Sequence, residues 1–170
     1  LSATVSNAVE LGEWITAQRN RPVTSGDRLS TEADARAVVR IGSTTLRLGA
    51  DTELEVLGLD DDRIRLQLHS GQLAVRLRSG EAAREFSLST SEGEIQTQLA
   101  GHYRFDRDDE VSEATVYAGQ LHFQGVGEGA AVLANQRVEF WAERGQTRYQ
   151  MSAPQRDAFA AWVQSDDDPT

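Results

Sequence analysis

The sequence predicts an all-β fold, a twisted β-sandwich or a solenoid-like stack of short antiparallel strands, with one short C-terminal helix. Three observations lead there. Apolar and polar residues alternate along most of the 170 residues, the rhythm of strands whose successive side chains point to opposite faces. Turn residues, often glycine, restart that rhythm at roughly 8–12-residue spacing, as in sandwiches and barrels. Helical spacing of large apolar residues is convincing only near the C-terminus.

In chain order, the alternation marks strands at 3–5, 13–17, 36–41, 44–48, 53–57, 63–69 and 72–78. It continues at 85–89, 94–99, 102–106, 112–117, 120–124, 130–133, 137–141 and 147–150. Between them lie Ser25-Gly26-Asp27, Gly42-Ser43, residues 58–62, Ser79-Gly80, residues 106–110, residues 125–129 and Gly145. Gly, Asn, Asp and Ser at such points favour turns, by positive φ or by side-chain hydrogen bonds to the backbone. Strands this closely spaced leave no room for βαβ crossovers.

One stretch fixes a register on paper. If Ser70-Gly71 is a two-residue turn, Leu68 faces Leu73, Leu66 faces Val75 and Ile64 faces Leu77. With residues 58–62 as a loop, Val56 faces Ile64 and Leu54 faces Leu66, so apolar side chains meet on one face. The other face then sets Arg65 against Arg76 and Arg63 against Arg78, with Glu55 opposite Arg65. Like charges directly opposed require a counter-charge. Glu55 and the nearby Asp60–Asp62 supply one internally; an external anion bound by the four arginines is the other reading.

The C-terminal helix is expected near 154–164. Ser152-Ala-Pro-Gln155 reads as an N-cap with Gln three positions on, and proline is tolerated in a first turn. Phe159, Trp162 and Val163 fall on one face of it, and a helix this short needs docking to persist. The chain thus divides into an all-β domain at 1–151, a docked amphipathic helix at 152–165 and an acidic tail at 166–170. Phe159 and Trp162 serve either as a clasp on the β-domain or as a partner-binding anchor.

Composition narrows the functional classes. There are 27 acidic residues against 17 basic ones, for a formal charge of -10. Such a chain lacks the excess cations that release phosphate counterions, which argues against nucleic acid and anionic membranes. All the basic residues are arginine, a pattern that fits bidentate anion recognition or simply a GC-rich coding sequence. No apolar run is long enough to span a bilayer, and the absence of cysteine rules out disulfides. The abrupt start of a strand at Leu1 suggests a processed or excised chain.

Few residues suggest chemistry. The three histidines, His69, His102 and His122, show no ligand spacing, and alternation turns His102 and His122 to the polar side as ordinary surface groups. The acidic clusters sit in turns and match no calcium loop. Gly125-Val-Gly-Glu-Gly129 lacks the Lys-Ser/Thr step and the helix of a phosphate loop, and no Gly-x-Ser-x-Gly elbow occurs. No catalytic residue, metal or cofactor is expected.

The order of motifs resembles the FecR-like domain, named for the bacterial iron-dicitrate sensor. Its Gly-Asp-x-Leu-x-Thr step corresponds to Gly26-Asp27-Arg28-Leu29-Ser30-Thr31, and its strand ending in Gly-Ser to Ala37-Val-Val-Arg-Ile-Gly42-Ser43. Leu46-Arg-Leu48 and Thr52-Glu-Leu-Glu-Val56 follow. Leu68-His-Ser-Gly71-Gln-Leu73-Ala-Val75, Phe86-Ser-Leu-Ser-Thr90 and Val116-Tyr-Ala-Gly119-Gln-Leu121 complete the series. Asp157-Ala-Phe159-Ala-Ala-Trp162 is similar to an Asp-x-Phe-x-x-Trp motif that follows this domain in a group of exported bacterial proteins.

That resemblance implies an exported, periplasmic, non-enzymatic β-domain that relays signals or binds another envelope protein. The sensor's cytoplasmic segment and membrane helix have no counterpart here, and Ala100-Gly101-His102 stands where sensors have Gly-Thr. The second functional reading is a glycan or small-anion binder, using Arg63, Arg65, Arg76 and Arg78 with Tyr103, Tyr117 or Trp141 for stacking. Neither reading fixes the partner or the oligomeric state.

Overall fold

The computed structural model describes residues 3–10 and 23–165. The strands are β1 (Ala3–Glu10), β2 (Arg28–Ser30), β3 (Ala35–Ile41), β4 (Thr44–Leu48), β5 (Glu53–Asp60), β6 (Arg63–Leu77) and β7 (Phe86–Thr90). They continue as β8 (Gly93–Thr97), β9 (Gly101–Asp108), β10 (Val111–Ala118), β11 (Gln120–Gln124), β12 (Gly129–Leu133), β13 (Gln136–Glu143) and β14 (Gln146–Ser152). Two helices are added, α1 (Gly80–Glu85) and α2 (Ala158–Ser165). The segment expected to be a strand at 13–17 and the acidic tail at 166–170 lie outside the described residues.

The strands form two layers that share β6. One runs β1-β3-β4-β6-β9-β10-β13-β14 and the other β2-β5-β6-β7-β8-β11-β12. Their inner faces enclose one core, in which Leu46, Leu48, Val75, Tyr103 and Phe105 of the first layer meet Leu66, Leu68, Phe86 and Phe123 of the second. Phe86 and Phe105 stack across it at 6.4 Å, and Phe123 and Phe140 at 4.9 Å. This is a curled sandwich.

The expected hairpin at Ser70-Gly71 is absent. Residues Arg63–Leu77 form one 15-residue strand, whose first half pairs with β5 and β7 and whose second half pairs with β4 and β9. Leu66 therefore lies opposite Val56 and Leu88, while Val75 lies opposite Leu46 and Tyr103. Gly71, at φ +99, turns the strand between layers. A Cβ there would collide with the side chain and Cα of Thr52, so glycine is needed for both conformation and space. The Thr52 hydroxyl donates to the Gly49 carbonyl (3.0 Å) and accepts from the Gln72 N–H (3.0 Å), buckling the bend in place.

The register of β5 also differs from the expectation, because the strand continues to Asp60 and bulges near Gly58. Leu54 and Val56 face Leu68 and Leu66, two positions along from the expected partners. The apolar face is the same, since a shift of two preserves the phase of alternation. Glu55 pairs with Gln67, and Arg65 with Gly58 and Ser87.

One pair is parallel, β6 with β7, although the strand spacing left no room for a crossover. The second half of β6 and α1 make that connection. Ser79, expected in a turn, caps α1 by accepting from the Ala82 N–H at 3.0 Å, with Glu81 in the first turn. Helix α2 begins later than expected. Ser152 ends β14, and Asp157 is the capping residue, its Oδ1 accepting from the Ala160 N–H at 2.9 Å.

Candidate functional site on the outer face of the first layer

Alternation along β3, β4, β6, β9, β10 and β13 sends every second side chain away from the core. The ladders align these outward residues in rows. One row runs Val38, Arg47, Ala74, Arg104, Thr115, Arg137. Another carries Thr45, Arg76 and His102. A third sets Gln72, Asp106, Glu113 and Glu139 side by side. An outward face of a sandwich is ordinarily wet, yet here Val38, Arg47, Ala74, Arg104 and Thr115 are buried.

Helix α2 helps to cover this face. Phe159 is 5% exposed and clusters with Ala74 and Val163, and Trp162 packs half-buried at the edge of that cluster. A Cβ on Gly49 would come within about 3.0 Å of the Phe159 ring, so the glycine gives the aromatic its seat. Arg104 lies under Phe159, its guanidinium carbon 5.0 Å from the ring centre, and Arg36 lies 4.7 Å from that of Trp162.

Arg104 is the central tie. Its side chain is 1% exposed, a position that a lone charge could not hold. Nη1 and Nη2 donate to the two Asp157 oxygens at 2.8 and 2.7 Å, while Nε and Nη2 donate to Asp106 at 2.8 and 2.9 Å. Burial opposes its charge, but the bonds to Asp157 and Asp106 outweigh that and hold the guanidinium above its ordinary range. Asp157 is in turn held below the usual carboxylate range, first by Arg104 and, against the effect of burial, by its helix-capping bond. Gln155 adds a second tether to Glu113 at 3.1 Å. Burial and then Asp106 push the Glu113 carboxyl up.

The match to known proteins takes in β3, β4, β6, β9 and β10 of this face, and ends before β13 and α2. Residues 27–122, more than half of the chain, match the family model described as FecR protein. The chain belongs to the FecR family. Two structures of a candidate anti-sigma factor from Parabacteroides distasonis share the fold, at TM-scores of 0.66 and 0.67 and 15% identity in each case. The alignments cover 81% of this FecR-family chain but only 64% and 65% of those chains. No protein of curated function matches it.

The four arginines singled out in the sequence are not brought together as facing pairs in this FecR-family fold. Arg63 and Arg65 border a cavity of the second layer with Asp62, Arg84 and Glu85. Arg76 and Arg78 border a separate cavity at one end of the first layer with His102 and Tyr117. The facing pairs depended on the hairpin, and the continuous β6 separates its ends. Tyr103, considered for stacking, is fully buried, with its hydroxyl donating to the Leu99 carbonyl at 2.6 Å. Tyr117 is half-buried and Trp141 sits on the outer face of β13.

His102 is on the polar side, as alternation requires, but it is not an ordinary surface group. Burial, then Arg76 and Arg47, push its pKa down to about 4, and its Nε2 is buried without a hydrogen-bond partner. His69 instead meets Glu55 at 2.8 Å on the second layer. Among the described residues, no three His, Cys, Asp or Glu side chains converge where a metal could be held, and no helix is long and apolar enough to cross a membrane. Sequence reasoning missed Arg104 and Asp106. The available signal was the Asp-x-Phe-x-x-Trp motif, whose aspartate demands a cationic partner once its aromatics are buried.

Proposed function

We propose that this chain is a non-enzymatic periplasmic module of the bacterial envelope, which relays a signal by binding another envelope protein. The observation that carries this reading is the family match over the β-scaffold itself. A fold shared with a candidate anti-sigma factor supports a regulatory partner. The use of the deepest charges is consistent with it. Arg104, Asp106 and Asp157 are spent on each other in holding α2, and Arg107 binds Glu92 at 2.8 Å inside the fold.

Among the described residues, β14 is the last strand of the first layer and offers an edge for strand addition. Residues Gln146–Ser152 include one charged side chain, Arg148, and no proline, so the edge lacks the usual deterrents to pairing. The test is photo-crosslinking in cells, with the reactive group at Gln150 on β14 and a control at Glu94 on β8. One envelope protein captured saturably from Gln150, with the chain in the periplasmic fraction, is the expected result. A cytoplasmic location, or equal capture from both positions, would overturn the proposal.

A further inference from the structure

We propose that the outer face of the second layer holds a binding trough for an acidic sugar, a uronate, whose carboxylate is taken by Arg63, Arg65 and Arg84. The site is independent of the relay reading, and it keeps only Arg63 and Arg65 of the four arginines suggested by the sequence.

The trough is laid out by register. Parallel pairing sets Arg65 of β6 beside Ser87 of β7, and antiparallel pairing continues the row through Gln96 of β8 to His122 of β11. Neighbours in such a row project from one face about 5 Å apart. Ser87 and Ser89 are short, with the longer Arg65 and Gln96 on the strands to either side, so the face dips along β7. Two cavities lie along the dip, of about 280 and about 290 Å³, and they share Arg65, Ser87 and Gln96. Side by side they reach the size of pockets that take small molecules, roughly 300–1,000 Å³.

The two ends differ in charge. At one end α1 brings Arg84 to Arg63 and Arg65, with Asp62 and Glu85 on the same wall. Among the described residues, none of these three guanidiniums has an ion pair or a hydrogen bond, although both carboxylates border their cavity. Three cations against two anions make this end positive, in a chain whose acids outnumber its bases by 27 to 17. The other end is lined by Ser89, Glu94, His122 and Gln124, with Leu57, 36% exposed, at its rim.

That distribution selects the ligand. A bare phosphate or acetate would be drawn to the guanidiniums and opposed by Asp62 and Glu85. A uronate suits both sets of groups. Its carboxylate accepts charge-assisted bonds from the arginines, while its hydroxyls donate to the protein's carboxylates. Gln96 is set for the same task. Its Nε2 donates to the Phe86 carbonyl at 2.8 Å and the Thr97 carbonyl at 3.0 Å, which leaves Oε1 to accept from a hydroxyl. Leu57 gives the C–H face of a sugar ring an apolar contact.

The test is calorimetric titration of the intact chain with trigalacturonate, and separately with glucuronate, in low-salt buffer. Maltotriose supplies hydroxyls without a carboxylate, and sodium acetate supplies a carboxylate without hydroxyls. One or both uronates should bind saturably, and each control at least about tenfold more weakly, having lost a set of strong contacts. By NMR the bound uronate should move the ring signals of His122 and leave those of His102, on the first layer, in place. Arg65→Gln should weaken uronate binding by about tenfold, the loss of one charge-assisted contact. Arg156→Gln, exposed beside α2 on the other layer, should leave it unchanged.

Failure of both uronates to saturate by about 10 mM at low ionic strength, where screening is weak, would overturn the proposal. So would equal affinity for maltotriose or acetate, or equal loss in Arg65→Gln and Arg156→Gln. If Arg65→Gln does not fold, Arg84→Gln on the surface of α1 decides: undiminished affinity overturns the site, and a loss of affinity supports it.

Discussion

Replacing Asp157 by alanine tests whether the arginine tie, and not apolar contact alone, holds α2 down. Two contributions disappear. The first is the cap on the Ala160 N–H, typically about 1 kcal/mol. The second is the pair of bonds from Arg104. Charged hydrogen bonds contribute about 1.5–3 kcal/mol, but Asp157 is 35% exposed, and solvent screening reduces this to about 1–2 kcal/mol. Arg104 keeps Asp106, so the larger penalty of a wholly orphaned buried charge does not apply. The loss should be about 2–3 kcal/mol, or roughly 4–12 °C in melting temperature for a chain of this size. Asp157→Asn retains a capping oxygen and should lose about half as much. Urea denaturation followed by circular dichroism measures both. The Asp157 carboxyl is depressed in the folded state, so its contribution is present above the unfolded pKa and fades as pH falls through the folded one. The gap between wild type and variant should therefore close in strong acid. An unchanged midpoint for Asp157→Ala, or equal losses in the two variants, would refute the tie.

Trp162→Ala removes a half-buried ring that stacks on Arg36 and should cost about 1–3 kcal/mol in the same assay. Gly71→Ala forces a left-handed backbone and a collision with Thr52; a loss of about 2–5 kcal/mol is expected, read as a lower urea midpoint. Thr52→Val leaves the Gln72 N–H without its acceptor and should cost about 1–3 kcal/mol by thermal melting. The His102 pKa falls from 6.5 to about 4 on folding, so the unfolded chain binds more protons between those values. Stability from this group is complete above about pH 6.5 and declines toward pH 4, by about 1–3 kcal/mol. His102→Gln should flatten that part of the stability profile.

The layers were legible because alternation reports the phase of a strand. Leu54, Val56, Ile64, Leu66, Leu68, Leu73, Val75 and Leu77 are all buried, whatever the pairing. Pairing itself was not legible at Ser70-Gly71. Leu68 and Leu73 are five positions apart, so the apolar phase flips between them. A two-residue hairpin turn produces that flip, and so does a strand that twists through a glycine bend from one layer into the next. Alternation carries no information to separate the two, and the deciding contact, Thr52 against Gly71, lies about twenty residues away. Helix α1 was missed because six residues are too few to show a period. The start of α2 was misplaced because Ser152 and Asp157 both offer capping oxygens, and only the position of Arg104 favours the second. At the candidate site, Asp157, Phe159 and Trp162 were visible as a motif, but their partners Arg104 and Asp106 come from a strand whose register the sequence does not encode locally.

The shared strand has a mechanical consequence. Two layers joined only by loops and side-chain contacts can shear past one another by small slips. Here β6 is laced into neighbours on both sides in each layer, and Gly71 with Thr52 locks the corner between them. A slip would have to tear ladder bonds at one end of a single continuous backbone. The β-scaffold is therefore a strut, stiff along the axis that joins its layers. A load applied at one layer reaches the other through the backbone of β6 itself, without passing through a loop.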